Sequence, residues 1–157
     1  MGSNLINARS ETLAEKPSFR SAYRRRRCLV LADGFYEWVE IPGRKAKQPH
    51  YITLKGHRPF AFGGLWEIWY APDGSEVRSA TIITTEPNSL MKRLHNRMPL
   101  ILHPEDFSAW LDPAERSPES LAYLLAPYPE DMAHFPVSLM VNSPANDRPE
   151  VIRPLDA

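Results

Sequence analysis

The sequence predicts an α+β fold: a mostly antiparallel sheet, curled or closed as an open β-barrel, with short helices at its periphery. Three observations predict it. Short apolar or β-branched runs recur along the chain, giving five or six strands. The helical signals are few, short and separate from those runs. Sixteen prolines against seven glycines imply stiff turns and short elements.

In chain order, Ser18 to Arg27 follows Pro17 as a short helix or turn that ends in four consecutive arginines. Cys28 to Ala32 is an apolar run closed by Asp33-Gly34, a buried-strand pattern. Ile41 to Pro49 is a polar loop. Tyr51 to Leu54 and Phe60 to Trp69 read as strands, joined by Lys55-Gly56-His57-Arg58 as a hairpin turn. Gly63-Gly64 inside the second strand signals a bulge or a close backbone approach. Ser79 to Thr85 is β-branched and reads as a strand. Asn88 to His95 has Leu90, Met91 and Leu94 at helical spacing, with Asn88 as N-cap. Met98 to Leu102 is a short strand. Pro104 to Leu111 is a helix with Phe107, Trp110 and Leu111 on one face. Ser117-Pro118 opens a further helix through Leu125, with proline at its first position. Pro136 to Val141 is a last strand, and the tail from Asn142 is proline-rich loop.

The 157 residues suffice for one domain over residues 1–157 with a substantial core. Lys+Arg and Asp+Glu both number 19, which argues against a uniformly basic nucleic-acid coat but not against a local basic groove. Cys28 is the only cysteine, so an intramolecular disulfide and a cysteine-based zinc motif are both excluded. That suits a reducing cytosol, and a cytoplasmic location is expected. No apolar run approaches the roughly 20 residues that span a bilayer. Met1-Gly2 fails the myristoylation pattern, because Ile6 stands where Ser or Thr is required.

Three segments hold the residues suited to chemistry: Asn7-Ala8-Arg9, Gly34-Phe35-Tyr36-Glu37-Trp38 and His95-Asn96-Arg97-Met98-Pro99. Glu37 sits between aromatic rings, which would raise its carboxyl toward general-acid use. The same pattern also suits a salt-bridged glutamate at a strand end. His95 suits proton relay, or equally a histidine at a helix C-terminus. Arg9 and Arg97 offer forked donors to phosphates. Arg24 to Arg27 read instead as a solvated face. Trp38, Trp66 and Trp69 offer stacking surfaces, although Trp66 reads first as core. His50, His57, His103 and His134 lack metal-ligand spacing, so no metal is expected. Cys28, at the head of an apolar strand, reads as an inert core cysteine.

Taken together, these residues resemble the SRAP (abasic-site processing) family. The resemblance runs through Asn7-Ala8-Arg9-Ser10-Glu11-Thr12, Cys28 to Trp38 and Phe60-Ala61-Phe62-Gly63-Gly64-Leu65-Trp66-Glu67. It continues through Thr81 to Thr85, His95 to Pro99 and Val141-Asn142-Ser143-Pro144. It implies a β-rich fold with a positive cleft for single-stranded DNA carrying abasic sites, and no cofactor. In the family, a cysteine directly after the initiator methionine captures the ring-opened aldehyde as a thiazolidine. By resemblance, Asn7, Glu37 and His95 are the catalytic residues. Arg9, Trp38, Thr84 and Arg97 fall where the family grips DNA. Position 2 here is Gly2 and the family's segment ahead of Asn7 is largely missing, so the sequence reads as a truncated member without the nucleophile. Met1-Gly2-Ser3 reads as a cloning remnant or a short native start. Two alternatives stand beside cross-linking: a non-catalytic single-stranded DNA-binding module, and an autoprocessing peptidase-like hydrolase.

Overall fold

A computed structural model describes residues 6–129 and 132–155. The first three residues of the chain lie outside them. The strands are β1 (Asn7–Arg9), β2 (Arg27–Ala32), β3 (Phe35–Val39), β4 (Gln48–Leu54), β5 (Phe60–Tyr70), β6 (Glu76–Thr85), β7 (Met98–Pro99), β8 (Ile101–Leu102) and β9 (Met132–Pro136). Three short helices accompany them: α1 (Pro17–Arg25), α2 (Phe107–Leu111) and α3 (Pro118–Leu121). The larger sheet has the order β1-β6-β5-β2, with β7 on β6 and β8 on β5. The smaller has the order β3-β4-β9. The β1–β6 pair is parallel and the other pairs are antiparallel, which agrees with the α+β expectation.

The larger sheet is covered on both faces, and strand alternation decides what each face meets. On one face Ala8, Leu65 and Ile83 join Phe19, Ala22 and Tyr23 of α1, Trp110 of α2 and Leu121 of α3. On the other face Phe60, Phe62 and Ile82 meet Ile52 and Leu54 of β4 and Met132 of β9. Two-sided burial explains why residues 60–65 read as a continuous apolar run rather than an alternating one. It also explains Gly63-Gly64. A Cβ on Gly63 would stand 2.8 Å from Leu100 Cδ2, and one on Gly64 would stand 3.1 Å from the Thr81 carbonyl oxygen. The close approach expected there is present.

Several elements depart from expectation. Lys55 to Arg58 does not close a hairpin: β4 and β5 lie in different sheets, so this segment is the crossing between them. Asn88 caps as expected, its Oδ1 accepting from Met91 N at 2.9 Å. Only a 3-10 turn over Met91–Arg93 follows, not a helix to His95. The last strand comes earlier, as β9, and Leu139–Asn142 is a 3-10 turn capped by Ser138. Trp66 is not core. It is 38% exposed, because the β5–β6 ribbon runs past the end of β2, whose last partner is Leu65.

Candidate functional site

The two sheets leave between them a cleft of about 370 Å³, lined by residues from all three chemistry-bearing segments. Alternation builds one wall. In β1, Ala8 turns into the helix-side core, so its neighbours Asn7 and Arg9 turn the other way. The register pairs Asn7 with Ile82 and Arg9 with Thr84, which adds those two side chains to the same wall. The facing wall is β3, where Phe35 packs into the inter-sheet core and Glu37, two residues on, lines the cleft. The corner leading into β3 is tight. A Cβ on Gly34 would lie 2.1 Å from Tyr51 Cζ, while Tyr51 donates to Asp33 Oδ1 at 2.9 Å. The third side comes from His95, Arg97, Met98 and Pro99, held over Thr84 and Thr85 by the β6–β7 pairing.

Burial pushes the Glu37 carboxyl above its usual range, and the positive charge of His95 partly offsets this. The Arg97 backbone N–H donates to His95 Nδ1 at 3.1 Å. A nitrogen that accepts this bond carries no proton, so the neutral ring holds its hydrogen on Nε2. When the ring is protonated, the Arg97 carbonyl oxygen, 3.3 Å from the same Nδ1, is available to accept.

The two cleft arginines differ. The Arg9 guanidinium makes no hydrogen bond or ion pair among the described residues and is exposed. Arg97 donates from Nη1 to Glu11 Oε1 at 2.7 Å, and from Nη2 to Glu11 Oε2 at 3.0 Å and the Thr84 carbonyl at 2.6 Å. That bond holds the Glu11 carboxyl below its usual range. Sequence reasoning assigned Glu11 no role, although it stands two residues beyond Arg9 in the same segment.

Of the seven sequence-predicted site residues, the cleft brings together Asn7, Arg9, Glu37, Thr84, His95 and Arg97. Trp38 is not among the lining residues. Its neighbour Glu37 takes the inner position, and Trp38 turns outward, donating from Nε1 to Asn142 Oδ1 at 2.8 Å.

Only half of the arginine run is a solvated face: Arg24 and Arg25 are exposed, whereas Arg26 is partly buried. Arg27 is buried and donates to the carbonyls of Trp110 at 2.8 Å and Tyr23 at 2.9 Å, and also to that of Asp112. Arg26 pairs with Glu67 at 2.6 Å, and Arg24 and Arg25 both pair with Glu115. Cys28 is half-buried and burial raises its thiol, which agrees with an inert reading. Among the described residues, no cluster of three or more side chains could hold a metal ion, and no helix is long and apolar enough to cross a membrane.

A family profile described as SOS response associated peptidase (SRAP) matches residues 1–144. The chain belongs to the SRAP family. Among SRAP relatives, the abasic site processing protein YoqW of Bacillus subtilis is 48% identical over 153 residues, covering 97% of this chain and 68% of its own. The abasic site processing protein HMCES of Rattus norvegicus is 33% identical over 179 residues, covering 98% of this chain and 50% of its own. The chain thus spans between half and two thirds or so of the length of these relatives. A crystal structure of a Bacteroides thetaiotaomicron protein superposes with a TM-score of 0.85 at 34% identity, covering 95% of this chain and 65% of that one.

Proposed function

We propose that this SRAP chain recognises abasic sites in single-stranded DNA and supplies the acid–base groups that act on the exposed sugar. The observation that carries the reading is the meeting of Glu37, His95 and Asn7 in one cleft flanked by Arg9 and Arg97. The names of the relatives support the same reading.

An abasic deoxyribose is a cyclic hemiacetal. Opening it requires a proton taken from the C1′ hydroxyl and one given to the ring oxygen O4′. A carboxylate with a raised pKa is a stronger base and, once protonated, a ready acid. Glu37 therefore takes the hydroxyl proton and passes it to O4′ as the C1′–O4′ bond breaks. His95, its Nδ1 occupied, keeps its own proton and steadies that oxygen with a hydrogen bond from Nε2–H. Asn7 contributes an amide that donates to or accepts from the sugar. Arg9, the open arginine of the cleft, meets a flanking phosphate, with Arg97 beside it on the same lining.

Fluorescence anisotropy with matched single-stranded oligonucleotides, one carrying a single abasic site and one intact, tests the reading. Tighter binding to the abasic strand is expected. Equal affinity for the two strands, or no binding to either at low salt, would overturn it.

A further inference from the structure

Arg97 carries a full positive charge but does not present it freely. Two of its hydrogens engage the two oxygens of Glu11, and another engages the Thr84 carbonyl. Its Nε is buried without a partner among the described residues. The cleft therefore contains one masked arginine and one open one, Arg9, on the same wall. The sequence offers both as equivalent phosphate grips, and the geometry makes them unequal.

We infer that Glu11 is a specificity-determining residue, which masks Arg97 so that intact DNA backbone is not held by charge alone. The inference rests on the reading of the cleft as a DNA site. Backbone attraction is blind to the lesion: each neutralised phosphate adds affinity for any strand through counterion release. A cleft with two open arginines would hold intact DNA more firmly and discriminate less. Pairing Arg97 with Glu11 removes its net charge from that attraction while keeping its donors in a fixed direction. Glu11 can do this because its segment continues directly from β1, so the residue that masks Arg97 is placed by the strand that presents Arg9. Arg97 in turn carries the backbone N–H that sets the His95 tautomer, so the pair also steadies the loop that bears His95.

The test is anisotropy titration of wild type, Glu11→Gln, Glu11→Asp and the double variant Glu11→Gln/Arg97→Gln. Each is titrated with intact and abasic single strands between 50 and 200 mM salt. Glu11→Gln is expected to bind intact DNA more tightly than wild type and to lower the abasic-to-intact ratio. Its salt slope should steepen by about 0.7, a further roughly two- to threefold loss over that salt range. Glu11→Asp, which keeps the charge, should behave as wild type, and the double variant should lose the gain. A residue that only braced the loop would give the opposite sign: weaker binding with an unchanged slope. That result would overturn the inference while leaving the DNA site standing. Wild type failing to bind either strand would overturn both. If Glu11→Gln melts below the assay temperature, Glu11→Asn carries the same prediction.

Discussion

Arg24 to Arg27 form the densest positive charge in the chain, yet the cleft takes its arginines from Arg9 and Arg97, which stand far apart in sequence. Every member of the run is occupied. Arg27 is buried against backbone carbonyls, Arg26 is tied to Glu67, and Arg24 and Arg25 share Glu115. The isolated pair sits beside Glu37 and His95, one arginine open and one held by Glu11. Local charge density describes how a chain pairs with itself, whereas a site is assembled by register. β1 beside β6 and β7 beside β6 bring Arg9, Thr84 and Arg97 to one place.

The largest effect is expected at Arg27. Replacing it with methionine keeps much of the packing but leaves the buried bonds to the Trp110 and Tyr23 carbonyls unmade and the part-buried one to Asp112 lost, a cost of about 3 kcal/mol. Urea unfolding measures it, and a loss below about 1 kcal/mol would show that the run is not structural. Binding per folded molecule should not change.

On the cleft side, Glu37→Gln separates burial from chemistry. Burial raises the Glu37 carboxyl, so the folded protein binds its proton more tightly than the unfolded chain does. For a raised carboxyl, stability is full below the ordinary carboxyl value and is lost as pH rises through the folded value. Glutamine has no charge to bury, so Glu37→Gln should melt higher than wild type near neutral pH, with the gain vanishing toward pH 4. Sugar opening should be lost at every pH. A variant that melts lower than wild type at neutral pH would mean that Glu37 is held by a favourable partner instead.

How much of this was legible depended on whether the deciding interaction was local. Gly63-Gly64 announced a close approach because a missing Cβ leaves few other reasons for such a pair within a strand. Asn88 announced its cap, since that bond spans three residues. The helix behind it did not form: leucine and methionine spacing fits one tight turn as well as two, and Pro99 with the β7 pairing takes the chain away. Trp66 was read as core because its strand is apolar. Where the neighbouring strand stops is a property of β2, and no residue near Trp66 records it. The outward turn of Trp38 follows from the inward turn of Glu37, and alternation in a five-residue strand would have given it once β3 was recognised. Arg27 and Glu11 stayed hidden because Trp110 and Asp112, which Arg27 meets, and Arg97, which Glu11 meets, lie more than 80 residues away.

The salt dependence of single-stranded DNA binding for Arg9→Gln, set beside the double variant Arg24→Gln/Arg25→Gln, decides between the cleft and the arginine run. The exposed pairs to Glu115 contribute under about 1 kcal/mol each, so the double variant stays folded. Arg9→Gln should weaken binding and lower the slope by about 0.7, while the double variant leaves both unchanged. A slope lowered by the double variant and untouched by Arg9→Gln would place DNA on the arginine run and contradict the cleft.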